Sequence, residues 1–211
     1  MINKFNFTTY LFFSCVWVAT SDNMLHTIDC RTGSVIADFK VCVGSVGLIK
    51  SICALPEGNT IAIGHNTGFI SQLDIRTGKL RQSWKGHEGE IITLSALNNY
   101  QFLSTSLDQA VTVWSNPEGK FRYSFPISQE TGPVHCVNVN GDEIIMGSTT
   151  NRVIIRKGPM SEQPEDSNLV AYNTHKLKSD LIKTNLTSMK LLPMNKLLLL
   201  GQDNGAIKLV C

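Results

Sequence analysis

Apolar residues along this chain come in short runs, separated by polar turn formers. "LIKSICAL" (Leu48–Leu55), "IITLSAL" (Ile91–Leu97), "VHCVNV" (Val134–Val139) and "LTSMKLL" (Leu186–Leu192) are each followed by a small turn: "PEGN", "NNY", "NGDE" or "PMNK". A second run comes next: "NTIAIG", "YQFLSTS", "EIIMGS" or "KLLLLG". Branched and leucine-rich runs bounded by Gly, Asn, Asp and Pro predict strands, and no stretch sustains a helical period. The connecting turns suit antiparallel neighbours.

The runs recur in register. "DCRTGSV" from Asp29 and "DIRTGKL" from Asp74 spell nearly one phrase twice. Aligned on them, Val18–Asp29 lies under Ile63–Asp74, and the same frame takes in Leu103–Ser115, Met146–Lys157 and Leu200–Cys211. The last residue of the strand after the turn is then Ile28, Leu73, Trp114, Arg156 and Val210, at intervals of 45, 41, 42 and 54 residues. Each unit has strands a, b and c. In the first three a fourth, d, is written as "GSVIADFK", "GKLRQSWK" and "GKFRYSFPI", with Gly33, Gly78 and Gly119 at the c–d corner, where a left-handed residue is needed. Four antiparallel strands repeated every ~40–45 residues predict an all-β chain of β-propeller blades. "D-x-R-T-G" is on this reading a hairpin corner and not a catalytic motif. About five blades fit, at 14–42, 46–85, 89–127, 132–180 and 184–211, with 1–13 unassigned. The frame gives blade one no full strand a and blade five no strand d. The expectation is therefore an incomplete propeller with two unpaired sheet edges, prone to association.

Composition narrows the function. Net charge is +2 from 19 basic and 17 acidic residues, too balanced for a nucleic-acid binder. There is no glycine-rich phosphate loop. The six cysteines form no C-x-x-C and have no histidine at ligand spacing, so no metal or cofactor is expected, and they read as buried thiols of a reducing compartment. The run Tyr10–Ala19, "YLFFSCVWVA", imitates a signal-peptide core but is too short to span a bilayer, which takes ~20 residues. In the repeat frame it is strand b of blade one. Sequons at Asn6 and Asn185 would matter only in a secreted protein.

Blade three carries the most telling residues: Gly86-His87 ahead of strand a, Ser104 in strand b, Asp108 in the b–c turn and Trp114 closing strand c. This pattern resembles the WD-repeat family, and the resemblance implies that His87, Ser104, Asp108 and Trp114 form that family's buried structural tetrad. Ser115 follows Trp114 where the family has Asp. Asp22 keeps the turn aspartate in blade one, whereas Thr67, Thr150 and Asn204 replace it in blades two, four and five. His87 and Asp108 could also be read as an acid–base pair, but the repeat frame already explains both.

From about Ser14 to Cys211 the chain is similar to those family members in which a terminal propeller accompanies a BEACH domain. That likeness implies a non-enzymatic scaffold for protein–protein interaction, cytoplasmic and associated with endosomal, lysosomal and autophagosomal membranes. It further implies membrane trafficking through control of endosome maturation and clearance of aggregates by autophagy. The implied partners are an endosomal WD-repeat protein, a phosphoinositide 3-kinase complex and autophagy receptors. Two other readings compete: a secreted or lumenal binding module, and a propeller enzyme, which would need convergent acid–base groups that the mid-strand positions lack. The irregular segment Arg156–Lys183 reads as a solvated loop, or as a partner-binding loop around Ser161 and Ser167. In it "NLVAYN" is a candidate fourth strand for blade four.

Overall fold

The computed structural model describes residues 2–10, 13–41, 46–55, 59–116, 118–127, 129, 132–140, 143–150, 152–157, 172–176, 185–192 and 197–210. Among them every regular element is a β-strand. The first antiparallel sheet is β1 (Ile2–Tyr10), β2 (Phe13–Thr20), β3 (Met24–Asp29) and β4 (Val35–Lys40). The second is β5 (Ile49–Ala54), β6 (Thr60–His65), β7 (Phe69–Asp74) and β8 (Lys79–Lys85); the third is β9 (Ile91–Asn98), β10 (Gln101–Ser106), β11 (Ala110–Ser115) and β12 (Phe121–Pro126). The fourth is β13 (Val134–Asn140), β14 (Glu143–Ser148), β15 (Arg152–Lys157) and β16 (Tyr172–Lys176), and the fifth is β17 (Leu186–Leu191), β18 (Leu198–Gln202) and β19 (Ile207–Val210). In each, hydrogen-bonded neighbours follow chain order, as a meander of WD-type blades requires.

The chain divides into two compact units, residues 1–108 with 112–122, and 109–111 with 123–211. In the first, the middle strands are buried on both faces: β6 and β10 have no exposed residue, and β7 and β11 almost none. Outer strands alternate instead, as in β8, where every second residue faces solvent. A strand covered on both faces gains by being apolar throughout, and an outer one by being apolar on one face only.

Turn chemistry holds the corners. Gly33, Gly78 and Gly119 have φ of 68°, 65° and 65°, and the carboxylate of Asp74 accepts from the Arg76 N–H at 2.9 Å and from the Arg81 guanidinium at 2.7 Å. Asp29 accepts from the Arg31 N–H at 2.7 Å in the same way. The "D-x-R-T-G" phrase is thus an aspartate folding its own turn. The b–c turn also carries one left-handed residue: Asn23, Gly68, Gln109 and Gly205, with φ between 63° and 81°.

Strand a is bulged near its start in every sheet. The register slips between Ile2 and Lys4, Ile49 and Ser51, Val134 and Cys136, and Leu186 and Ser188, and likewise between Ile91 and Thr93. Beside the bulge, strand b offers a position without a side chain. A Cβ on Gly64 would lie 2.4 Å from Cγ2 of Ile91, and one on Gly147 would lie 2.5 Å from Cδ2 of Leu186. The first inward residue of one sheet therefore sits where its predecessor has only backbone. Ala19 holds the same register in the first sheet, and shares a core cluster with Ile49. Polar ties accompany the apolar seat: the Leu94 N–H donates to Ser51 Oγ at 2.9 Å, and Asn138 Nδ2 donates to the Met189 carbonyl at 3.0 Å.

One expectation is revised and one is narrowed. Blade one does have a strand a: β1 pairs along its length with β2, in a segment left unassigned from sequence. The fourth strand of the fourth sheet is Tyr172–Lys176, paired to β15; it takes in Tyr172 and Asn173 at the end of "NLVAYN", whose first four residues lie outside the described residues. Ser161, Ser167 and the acidic residues around them lie outside the described residues.

Gly64→Val is expected to destabilise the chain by about 1–3 kcal/mol, because Ile91 has no room to retreat. Chemical denaturation of Gly64→Val, Ile91→Val and the double variant should show non-additive losses. Additive losses would place the constraint on Gly64 elsewhere.

Candidate functional site

The third sheet brings His87, Ser104, Asp108 and Trp114 into one hydrogen-bonded chain. Ser104 lies in the middle of β10, Trp114 near the end of β11, His87 just after β8, and Asp108 in the turn after β10. Trp114 Nε1 donates to Ser104 Oγ at 2.8 Å, and that hydroxyl lies 2.7 Å from His87 Nε2. On the far side of the ring, Nδ1 lies 2.9 Å from Asp108 Oδ2, which also accepts from the Glu88 N–H at 3.1 Å. A carboxylate can only accept, so Nδ1 carries the proton, Nε2 accepts from Ser104, and Ser104 accepts from the indole. Every polar group in the chain is satisfied, as burial demands. Burial pushes the His87 pKa below the ordinary histidine range, against the opposing pull of Asp108.

Serine, histidine and aspartate in this order resemble a nucleophilic relay. The surroundings argue otherwise. Ser104 is wholly buried, its hydroxyl is already engaged by the Trp114 N–H, and the Trp114 ring is packed by Trp84 at a centroid distance of 5.5 Å. A nucleophile has to reach a carbonyl carbon, and here the approach is filled by core. What the chain of bonds can do is fix the loop before β9 to the strands of its sheet.

The other sheets solve the same problem with different residues. In the first, Asp22 is exposed and accepts from Thr20 Oγ1 and from the Met24 N–H, while His26 bonds Asp38 at 2.7 Å. In the second, Thr67 takes the aspartate's place and donates to the Val46 carbonyl. The buried polar role falls to His65, a residue the sequence reading did not single out. Its Nδ1 faces the Gly47 carbonyl at 3.3 Å and its Nε2 faces Ser71 Oγ at 2.9 Å, which in turn lies 3.1 Å from Ser83 Oγ. The available signal was a histidine closing an otherwise apolar strand, "TIAIGH".

In the fourth sheet Arg156 stands where the third has Trp114. It is 7% exposed, and its guanidinium stacks over the Phe125 ring at 3.7 Å, so a planar cation replaces the indole. Thr150 bonds Ser148 there, and in the fifth sheet Asn204 accepts from the Ala206 N–H. Leu73 is buried in the core of the first unit.

Little else gathers reactive groups. Among the described residues no set of three or more His, Cys, Asp or Glu is placed to hold a metal ion. Of the described cysteines, Cys53 is buried and its pKa is pushed up to about 12, Cys15 and Cys136 are partly buried and Cys30 is exposed, so the expectation of buried thiols is met only at Cys53. Exposed apolar side chains occur at several places, and two lie on one rim of the first unit: Leu48 ahead of β5 and Leu107 after β10 are 45% and 50% exposed, beside the Lys50–Glu90 ion pair at 3.1 Å.

Comparison with known proteins adds a consistent likeness. The chain is 36% identical over 194 residues to WD repeat-containing protein 81 of Danio rerio, a match covering 91% of this chain and 9% of that protein. To WD repeat-containing protein 81 of Homo sapiens it is 32% identical over 196 residues, 92% of this chain and 10% of the relative. Suppressor of organelle fusion 2 of Caenorhabditis elegans is 24% identical over 186 residues, 87% of this chain and 12% of the relative. The chain thus spans about a tenth of the length of these relatives. No protein-family model matches it.

Asp108→Ala should cost about 1–3 kcal/mol, since it strips the His87 ring and the Glu88 N–H of their acceptor. Asp22→Ala, at an exposed turn, should leave the denaturation midpoint near that of the parent chain. Equal losses at both sites would show that the network of the third sheet contributes nothing special. Ser104→Ala and Trp114→Phe should couple by about 0.5–3 kcal/mol in a double-mutant cycle, and independent effects would mean the indole–hydroxyl bond is not made in solution.

Proposed function

We propose that this chain, which belongs to the WD-repeat family, works as a non-enzymatic platform for protein–protein interaction. The observation that carries this reading is where the reactive groups lie. His87, Ser104, Asp108 and Trp114 are consumed inside the third sheet, whereas the rim presents leucines on the loops at the ends of β5 and β10, beside an ion pair. Function in such an architecture resides in loops displayed by a stiff frame.

The finer reading rests on likeness to WD repeat-containing protein 81. On it, the chain works in the cytoplasm at endosomal, lysosomal and autophagosomal membranes. It contributes there to endosome maturation through a phosphoinositide 3-kinase complex and to autophagic clearance of aggregates, with an endosomal WD-repeat protein and autophagy receptors as partners. The name of one relative, Suppressor of organelle fusion 2, agrees with a role in membrane trafficking. Among the described residues no helix is long and apolar enough to cross a membrane, so association through bound proteins is the route this reading takes. A lumenal binding module is the second reading, favoured by the exposed sequon residue Asn185.

Immobilised chain should retain purified phosphoinositide 3-kinase complex. Leu48→Asp with Leu107→Asp should weaken retention without lowering the melting temperature. Retention unchanged by both substitutions would move the interface off this rim. In cells, tagged chain should decorate endosomal membranes and show no glycosidase-sensitive mass. A mass shift that depends on Asn185 would instead establish the lumenal reading.

A further inference from the structure

Two buried histidines hold rim loops in adjacent sheets, and only one of them has a carboxylate beside it. His87 is backed by Asp108. His65, wholly buried, is bonded to a carbonyl and a hydroxyl. Because the Gly47 carbonyl can only accept, Nδ1 of His65 carries a proton; in the neutral ring Nε2 then accepts from Ser71.

The loop it holds is short and tightly seated. The Leu48 N–H donates to Asn66 Oδ1 at 2.8 Å, the Asn66 N–H returns a bond to the Leu48 carbonyl at 2.9 Å, and Thr67 Oγ1 donates to the Val46 carbonyl. Asn23, from the first sheet, donates to the Gly47 carbonyl at 3.2 Å and accepts from the Ile49 N–H at 2.9 Å. Gly47 has φ of 87°, and a Cβ there would fall 2.2 Å from Asn66 Oδ1.

Among the described residues, the charged groups on the surrounding elements have other partners. Lys50 on β5 pairs with Glu90, and Asp74 binds Arg81 at the far end of β7 and β8, where Lys79 also lies. Strand β9 carries no ionisable residue, and Asp22 in the preceding b–c turn is bound to Thr20. Lys85 on β8 donates to the Thr67 carbonyl at 3.0 Å and lies 3.7 Å from Glu88, placing a positive charge at the same turn.

We propose that His65 is a proton-sensitive latch on the loop Val46–Ile49, which stays closed while the ring is neutral and opens when it is protonated, freeing Leu48. Protonated Nε2 becomes a donor, Ser71 must turn its hydroxyl toward Ser83, and the new charge has no counter-ion where water is excluded. Lifting the loop brings the ring to water. At His87 the same proton forms an ion pair with Asp108, which offsets part of the cost of burying the charge, so the hold on Glu88 is weakened less. Burial sets the His65 pKa below the ordinary histidine range, with the Gly47 carbonyl pulling the other way. The open state has the ordinary value, so it binds the proton first. Opening is therefore favoured progressively as pH falls below about 6.5, and the gain levels off once the buried ring also titrates.

Amide hydrogen exchange on the full chain tests this, at about pH 7.5 and pH 5.5 and corrected for intrinsic exchange. The Leu48 and Asn66 amides should lose protection by up to about tenfold per pH unit below 6.5, and those of Glu88 and Leu107 should lose less. In His65→Gln, which retains a donor and an acceptor, the Leu48 and Asn66 amides should show no such loss. Flat protection at Leu48 in the parent chain overturns the latch, as does an equal loss at Glu88 or an equal loss in His65→Gln. Should His65→Gln not fold, the contrast between the two loops in the parent chain decides, together with an NMR titration of the His65 ring carbons against loop opening.

Discussion

The close approach of consecutive sheets at strand b governs the rest of the chain. The middle strands are covered on both faces, so their neighbours must come near enough to exclude water, and side chains alone would hold them apart. Gly64 and Gly147 remove that obstacle at one point in each pair, and Ile91 and Leu186 fill it. Dispersion contacts are individually small, and a large one forms only where a branched side chain is surrounded. Once this seat is set, the direction of strand a follows, and with it the loops before it.

Those loops then need polar partners, because their backbone groups are carried into the interior along with the strands. The third sheet meets the need with His87, Ser104, Asp108 and Trp114. The second uses His65, Ser71 and Ser83, and borrows Asn23 from the first. The fourth gives up the indole and stacks Arg156 on Phe125. The constraint is that polar groups carried inside find partners, and different residue sets supply them to different degrees. That freedom explains why the five repeats share a backbone plan without sharing a motif.

The same freedom sets how much could be read in advance. Runs of branched residues and the repeated "D-x-R-T-G" phrase made the strands and corners legible, since both follow from local chemistry. The blade-three residues were legible as a set because Gly-His, Ser, Asp and Trp fall at fixed offsets. Strand β1 was hidden because "INKFNFTTY" alternates with polar residues and has no branched run, so only its pairing with β2 identifies it. His65 and Arg156 were not legible as polar anchors. Their roles depend on Gly47 and Phe125, partners distant in sequence whose nearness is a product of the fold.

The bulge in each strand a carries a consequence for chain length. Between Ile49 and Ser51 the strand holds one residue more than its partner, so Ile49 and Ser51 stay on the buried face while their partners, His65 and Gly64, are consecutive; Lys50 points to Glu90. Parity therefore changes at that point. Replacing Lys50 alters a surface ion pair, but deleting it would turn Ile49 to the opposite face and empty the space above the neighbouring strand. Such a position is free in identity and fixed in number. Insertions and deletions of a single residue should be purged there more strongly than substitutions, the reverse of what its exposure suggests.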